Sequence, residues 1–180
     1  MTQTLYSESD LKKVVAELAA AIAADSCGRK LLLLGLLKGC QPFLADLCRE
    51  LSRHQLVLTV EYLQVSSYVG TASSGQVTIS RLLPDSLWSG CDVIVVDDIF
   101  DTGLTLKRVV AHLCEKGAEK VRTCVLLRKE GCSRVEMEPD YCGAVIPDAF
   151  IVGYGLDFNE QYRELPYIRL LDEQMNKVNG

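Results

Sequence analysis

An α/β fold, with a central parallel sheet flanked by helices, is predicted by three features of the sequence. Short apolar stretches at 31–37, 93–96 and 121–127 suit strands buried on both faces. Between them apolar residues take helical spacing, as in Phe43, Leu44, Leu47 and Leu51, and again in Leu104, Val109, Val110 and Leu113. The order strand, turn, helix then recurs, which is how parallel strands are joined. At 180 residues and 48% hydrophobic composition, the chain suits one domain with a full core.

Taken in order, Ser7 with Asp10 forms a capping box, Asp replacing the usual Glu, and opens a helix whose apolar face is Leu11, Val14, Val15, Leu18 and Ile22. Gly28 ends it. The run 31–37 is too short for a membrane span and reads as a buried strand, broken by Lys38-Gly39. A second amphipathic helix follows. Residues 56–65 carry a strand pattern and 77–79 a short one; the small polar stretch 66–75 between them is either a hairpin loop or a lid with Tyr68 as its cover. Strand 93–96 then ends at Asp97 and Asp98, and a helix runs toward Gly117. Strand 121–127 leads to Arg128 and Lys129. Residues 138–157, with two prolines and three glycines, form loop and short strand, a small hood in which Phe150 is either a core residue or a stacking face. The last strand, 166–171, precedes a polar tail.

The stretch 92–106 carries the chemistry. Ligands of open parallel sheets bind beyond the carboxyl ends of the strands, where Asp97 and Asp98 stand. The helix start just after them offers free N–H groups to an anion, and Thr102, Gly103 and Thr105 leave room and hydroxyl donors. Adjacent carboxylates beside a phosphate site make sense if the ligand also brings hydroxyls or a divalent cation, as a ribose phosphate does. The plainer reading is that Asp97, Asp98 and Asp101 cap the helix. The Lys38-Gly39 turn repeats the arrangement, with Lys38 either near a second anionic group or solvated. Lys129 is likewise a solvated strand-end lysine unless a ligand claims it.

Net charge −5 argues against a nucleic-acid surface, which needs clustered Lys and Arg. No basic segment leads into an apolar run near the N-terminus, and no apolar stretch has membrane length, so a cytosolic protein is expected. The 8 cysteines never form a C-x-x-C pair and are expected as free thiols, several of them buried.

Residues 93–105 closely resemble the phosphoribosyl-pyrophosphate motif of type I phosphoribosyltransferases, in which hydrophobic residues precede two acids and then Asp-Thr-Gly-x-Thr. The resemblance is to the hypoxanthine-guanine branch and runs from about residue 11 to residue 172. It implies a single phosphoribosyltransferase domain over 1–180, with a core at about 28–130 and 166–172 and a hood from the N-terminal segment and about 131–165. It also implies purine salvage: transfer of the 5-phosphoribosyl group from 5-phosphoribosyl-1-pyrophosphate to hypoxanthine or guanine, giving IMP or GMP and pyrophosphate, with xanthine as an alternative base. Magnesium (Mg²⁺) as cofactor, a cytoplasmic location, a homodimer or homotetramer, and no nucleic-acid or membrane partner come with it.

Residue by residue, the resemblance gives the ribose and its phosphate to Asp97, Asp98, Asp101, Thr102, Gly103, Leu104 and Thr105, with Asp101 as base at the purine N7 proton. Residues 35–47 look like the pyrophosphate loop, giving Lys38 and Gly39, whose joining peptide can be cis, and Arg163 joins them at the pyrophosphate. Ser-Ser-Tyr at 66–68 and Ser-Ser-Gly at 73–75 resemble the mobile catalytic loop, giving Ser67 and Tyr68. Lys129 meets the 6-oxo group, Phe150 stacks on the base, the Ile151 backbone reads its edge, and Asp157, beside the purine, ligates magnesium with Asp97 and Asp98. The chain departs from the pattern at Asp97, commonly Glu, at Cys40, usually Gly, and at Arg128 and Glu130 beside Lys129. Two rivals are an RNA-binding regulator on the same fold, against which the acidic balance counts, and a phosphoacceptor receiver domain, whose acid pair follows the first strand.

Overall fold

Alternate residues of a leucine run point to opposite faces of a strand, so a sheet covered by helices on both sides can bury all of them. In this computed structural model, which describes residues 3–26, 28–67, 77–79 and 83–171, that is how the run at 31–36 is used. Leu31 and Leu33 face one apolar layer with Leu11, Ile22, Phe43 and Leu47, whereas Leu32, Leu34 and Leu36 face the other with Leu106, Val109 and Leu113.

Along the chain the elements are β1 (Thr4–Tyr6), α1 (Glu8–Asp25), β2 (Lys30–Leu37), α2 (Gln41–Leu51), β3 (Leu58–Ser67), β4 (Val77–Ile79), β5 (Cys91–Phe100), α3 (Leu104–Glu115), β6 (Val121–Lys129), β7 (Tyr141–Ile146), β8 (Ile151–Val152) and β9 (Ile168–Leu170). Strands in the order β4-β3-β2-β5-β6-β7 form the main sheet, parallel except for β4, which runs antiparallel to β3. Helices α1 and α2 cover one face and α3 the other. The capping box is present, with Asp10 N donating to Ser7 Oγ at 3.2 Å and Ser7 N donating to Asp10 Oδ2 at 3.1 Å.

A second antiparallel sheet, in the order β1-β9-β8, makes the hood. Here the structure corrects the boundaries read from the sequence. Strand β9, expected in the core, pairs with β1 and β8 in the hood, and β7, expected in the hood, closes the edge of the main sheet beside β6. Strand β5 also runs past Asp97 and Asp98 to Phe100, because its ladder with β6 continues through Asp97↔Val125, Ile99↔Leu127 and Phe100↔Arg128. Strand β6 accordingly carries Arg128 and Lys129 within it.

Among the described residues, Cys40, Cys48, Cys91, Cys114, Cys124, Cys132 and Cys142 are free thiols, Cys40 and Cys124 fully buried. No helix of the described residues is long and apolar enough to cross a membrane.

Candidate functional site

Strand β5 carries charge at both ends, treated in opposite ways. Asp92, 1% exposed, is ion-paired with Arg29 at 2.6 Å, Lys120 at 3.0 Å and Arg122 at 3.3 Å. Asp97 and Asp98, partly buried at the other end, make no ion pair within 4.0 Å among the described residues. Among the described residues they accept from local backbone donors, Asp98 N to Asp97 Oδ1 at 3.1 Å and Ile99 N to Asp98 Oδ1 at 2.9 Å, and the two carboxyls interact with each other. Burial, then the neighbouring Asp98 charge, pushes the Asp97 carboxyl well above the usual range. Asp98 is raised as well, because burial outweighs its hydrogen bonds and the nearby Arg163 charge.

Past Phe100 the chain bends into α3. Gly103 caps the helix at φ 75°, and a Cβ there would lie 2.5 Å from Val135 and 2.6 Å from the Phe100 ring, so the position needs glycine on both counts. No side chain caps the helix. The reading of Asp97, Asp98 and Asp101 as caps is therefore set aside, and the first N–H groups of α3, around Thr102, Gly103, Leu104 and Thr105, keep their capacity for an anion.

The parallel register brings Asp101 and Lys129 together. Phe100 pairs with Arg128, so the next residue on each strand lies side by side at the sheet's carboxyl edge, with Lys129 Nζ 3.6 Å from Asp101 Oδ2. From the other flank Lys129 pairs with Ile146, and Asp148, just beyond, accepts from Nζ at 2.9 Å. Burial alone would lower the Lys129 ammonium, but the Asp148 hydrogen bond and the Asp101 and Asp148 charges outweigh it and hold the pKa above the ordinary value.

The turn after β2 meets the same edge from the other side. Its cis peptide is Leu37–Lys38, not the expected Lys38–Gly39. Gly39 lies directly against Asp98: a Cβ there would be 1.8 Å from Oδ2. Lys38 Nζ lies 2.9 Å from Glu160 Oε2, and Arg163 Nη2 lies 2.8 Å from Asp157 Oδ1 and 3.4 Å from Glu160 Oε1. The Nη1 of Arg163 donates to the Gly155 carbonyl at 2.8 Å.

In the hood, Phe150 is 51% exposed and meets Phe158 edge-to-face at 5.6 Å, so it is a presented ring and not a core residue. The Ile151 side chain is buried and its backbone belongs to β8. Ser67 ends β3 opposite Val77, and Tyr68 lies outside the described residues. Asp157 is engaged by Arg163, and no group of three or more His, Cys, Asp or Glu side chains among the described residues is placed to hold a metal by itself. Asp97, Asp98 and Asp157 thus form no cage from protein side chains alone. Magnesium needs none, since it is commonly held by one or two carboxylates completed by substrate oxygens and water. The cation-poor pair Asp97 and Asp98 fits that donor chemistry.

Sequence reading missed Asp148 and Glu160. Each meets its lysine across a long separation, 19 residues for Asp148 and 122 for Glu160, and no local pattern marks either. The signal that was available for Lys129 is the parallel register itself.

Against known proteins, the family described as "Phosphoribosyl transferase domain" matches residues 1–159. The hypoxanthine-guanine phosphoribosyltransferase of Dictyostelium discoideum is 40% identical over 177 residues, 97% of this chain and 98% of that protein. The bifunctional protein TilS/HprT of Listeria monocytogenes is 41% identical over 174 residues, and this chain spans only 26% of its length. A crystal structure of a hypoxanthine phosphoribosyltransferase from Staphylococcus aureus superposes with a TM-score of 0.89 at 36% identity, covering 96% of this chain and 92% of that one.

Proposed function

The chain belongs to the phosphoribosyltransferase family, in its hypoxanthine-guanine branch, and from that membership we propose that it transfers the phosphoribosyl group of 5-phosphoribosyl-1-pyrophosphate to hypoxanthine or guanine at the edge formed by β2, β5 and β6. One observation carries the residue-level reading. Asp101 stands between the start of α3, which no side chain caps, and the Lys129 ammonium, with an anion site on one side and a donor for a base on the other.

In this reading the α3 N–H groups and the Thr102 and Thr105 hydroxyls hold the 5-phosphate, with Gly103 and Leu104 supplying backbone, while Asp97 and Asp98 accept from the ribose hydroxyls. Lys38, the Gly39 backbone and Arg163 hold the pyrophosphate. Phe150 stacks on the purine, the Ile151 backbone meets its edge, and Lys129, which has donors only, faces the 6-oxo oxygen. The bond from ribose C1 to the pyrophosphate oxygen breaks with its electron pair leaving on pyrophosphate, the purine nitrogen bonds to C1, and the purine N7 proton passes to Asp101. Asp97, Asp98 and Asp157, with the diphosphate oxygens, would hold magnesium, whose chemistry is to neutralise charge building on the leaving group. Ser67 and Tyr68 close over the reacting atoms.

Self-association into a homodimer or homotetramer and a cytoplasmic location belong to the same reading. A turnover assay with phosphoribosyl pyrophosphate, magnesium and hypoxanthine, guanine, xanthine or adenine in turn is the direct test. Nucleotide formation with hypoxanthine or guanine is expected, and its absence with every base would refute the reading.

A further inference from the structure

Phe158 and Gln161 face each other across a two-residue hairpin, each N–H donating to the other's carbonyl, at 3.1 and 3.0 Å. The residues at its tip, Asn159 and Glu160, have φ of 51° and 63°. Two left-handed residues between such a pair make a type I′ turn, for which Asn-Gly is the favoured sequence. Asn159 suits its place, but Glu160 stands where glycine would be free of strain. A bulky residue kept in that conformation points to a use for its side chain.

The geometry supplies the use. The Glu160 carboxylate lies 2.9 Å from Lys38 Nζ through one oxygen and 3.4 Å from Arg163 Nη2 through the other. Its own N–H donates to Asp157 Oδ2 at 2.9 Å, which pins the turn with the side chain aimed at both cations. The Lys38 hydrogen bond, partly opposed by desolvation and helped by Arg163, holds the Glu160 carboxyl below its usual range, so it is an anion at neutral pH. Arg163 Nε is buried with no acceptor among the described residues.

We propose that the Glu160 carboxylate is a built-in stand-in for pyrophosphate: it neutralises Lys38 and Arg163 in the empty site, yields them to the incoming diphosphate, and takes them back as pyrophosphate departs. This rests on the proposed function's assignment of those two cations. The stand-in is 64% exposed, so its pairs are screened and weak enough to exchange. It therefore weakens pyrophosphate binding by competition and speeds product release. A carboxylate that merely aligned the two cations would do the opposite, and the sign of the effect separates the two roles.

The test uses the full chain and magnesium pyrophosphate, with affinity read by calorimetry and release by stopped flow. Glu160→Gln removes the charge and Glu160→Gly also relieves the turn; both are expected to bind pyrophosphate about three- to tenfold tighter and release it more slowly, with the gain shrinking as salt is raised. The Gly variant is expected to melt no lower than the parent chain, because glycine suits the conformation. Glu164→Gln, an exposed neighbour outside the site, measures the general effect of removing one negative charge. Unchanged or weaker binding in both Glu160 variants, or equal tightening in Glu164→Gln, overturns the proposal. Lys38→Ala and Arg163→Ala are expected to weaken pyrophosphate binding. If they do so while the Glu160 variants show no gain, only the stand-in role falls; if they bind like the parent chain, the cation assignment falls and takes the proposal with it.

Discussion

Replacing Gly39 by Ala tests how the turn after β2 is fitted against the end of β5. Gly39 is not among the residues at positive φ, so alanine carries no backbone penalty there and its cost is steric. The added carbon would lie 1.8 Å from Asp98 Oδ2 and 2.6 Å from its Cγ. Carboxylate and methyl must part by about 1.5 Å to reach van der Waals contact. Asp98 is the softer partner, and turning it away forfeits its 2.9 Å bond from Ile99 N. Leaving that donor unsatisfied costs about 1–3 kcal/mol, which at this chain length lowers Tm by about 2–4 °C per kcal/mol. Catalysis should suffer more, since displacing a positioning group by an ångström costs about 10²-fold. The assays are a thermal melt and steady-state kinetics with varied phosphoribosyl pyrophosphate, each repeated in an Asp98→Ala background, where the clash is gone and Gly39→Ala is expected to cost almost nothing further. Equal costs in the two backgrounds, or parental activity in Gly39→Ala, would refute the reasoning.

Asp101→Asn keeps shape but loses proton acceptance, so kcat is expected to fall by about 10²–10⁴ with phosphoribosyl-pyrophosphate binding nearly intact; loss of binding at parental kcat would make Asp101 structural. Adenine is expected to be a very poor substrate, by about 10⁴–10⁵ in kcat/KM, because the Lys129 ammonium has nothing to accept from a 6-amino group. Comparable turnover of adenine and hypoxanthine would contradict that. Asp97 is raised above its ordinary 3.8 in the fold, so between that value and the raised one the folded state binds more protons and stability falls as pH rises. Asp97→Asn is therefore expected to melt higher than the parent at neutral pH and to flatten the decline; a lower melting temperature across the range would count against a strained carboxylate. Activity is expected to vanish with excess EDTA and return with magnesium, and full turnover in the chelator would sink the metal reading.

Much of this architecture is written locally. The leucine run of β2 and the valines of β5 have no use except as strands buried on both faces, and Ser7-Asp10 marks the start of α1 by its own hydrogen bonds. What sequence reading placed wrongly depends on partners distant in the chain. Asp97 and Asp98 break the apolar pattern, yet pairing with β6 carries the backbone through them. The three residues of β9 belong to the hood because their partners are Thr4 and Tyr6 on one side and Ile151 and Val152 on the other, and the pairing with Thr4 and Tyr6 is a relation that no window of residues contains. The central motif was legible for the same reason as β2: its residues are contiguous. Asp148 and Glu160 were not, because each is defined by a cation that the topology brings to it.

The pairing of β1 with β9 also fixes an order of events during synthesis. Residues 4–6 leave the ribosome before every strand of the main sheet and their partners at 168–170 after all of them, since β2, β3, β5, β6 and β7 are made by residue 146. Domains gain structure as their segments emerge, and contacts of long sequence separation form late. The main sheet can thus assemble while the hood still waits for its closing strand. A nascent chain arrested short of residue 168 would carry the whole parallel sheet, with Asp101 and Lys129 at its edge, and an unclosed hood.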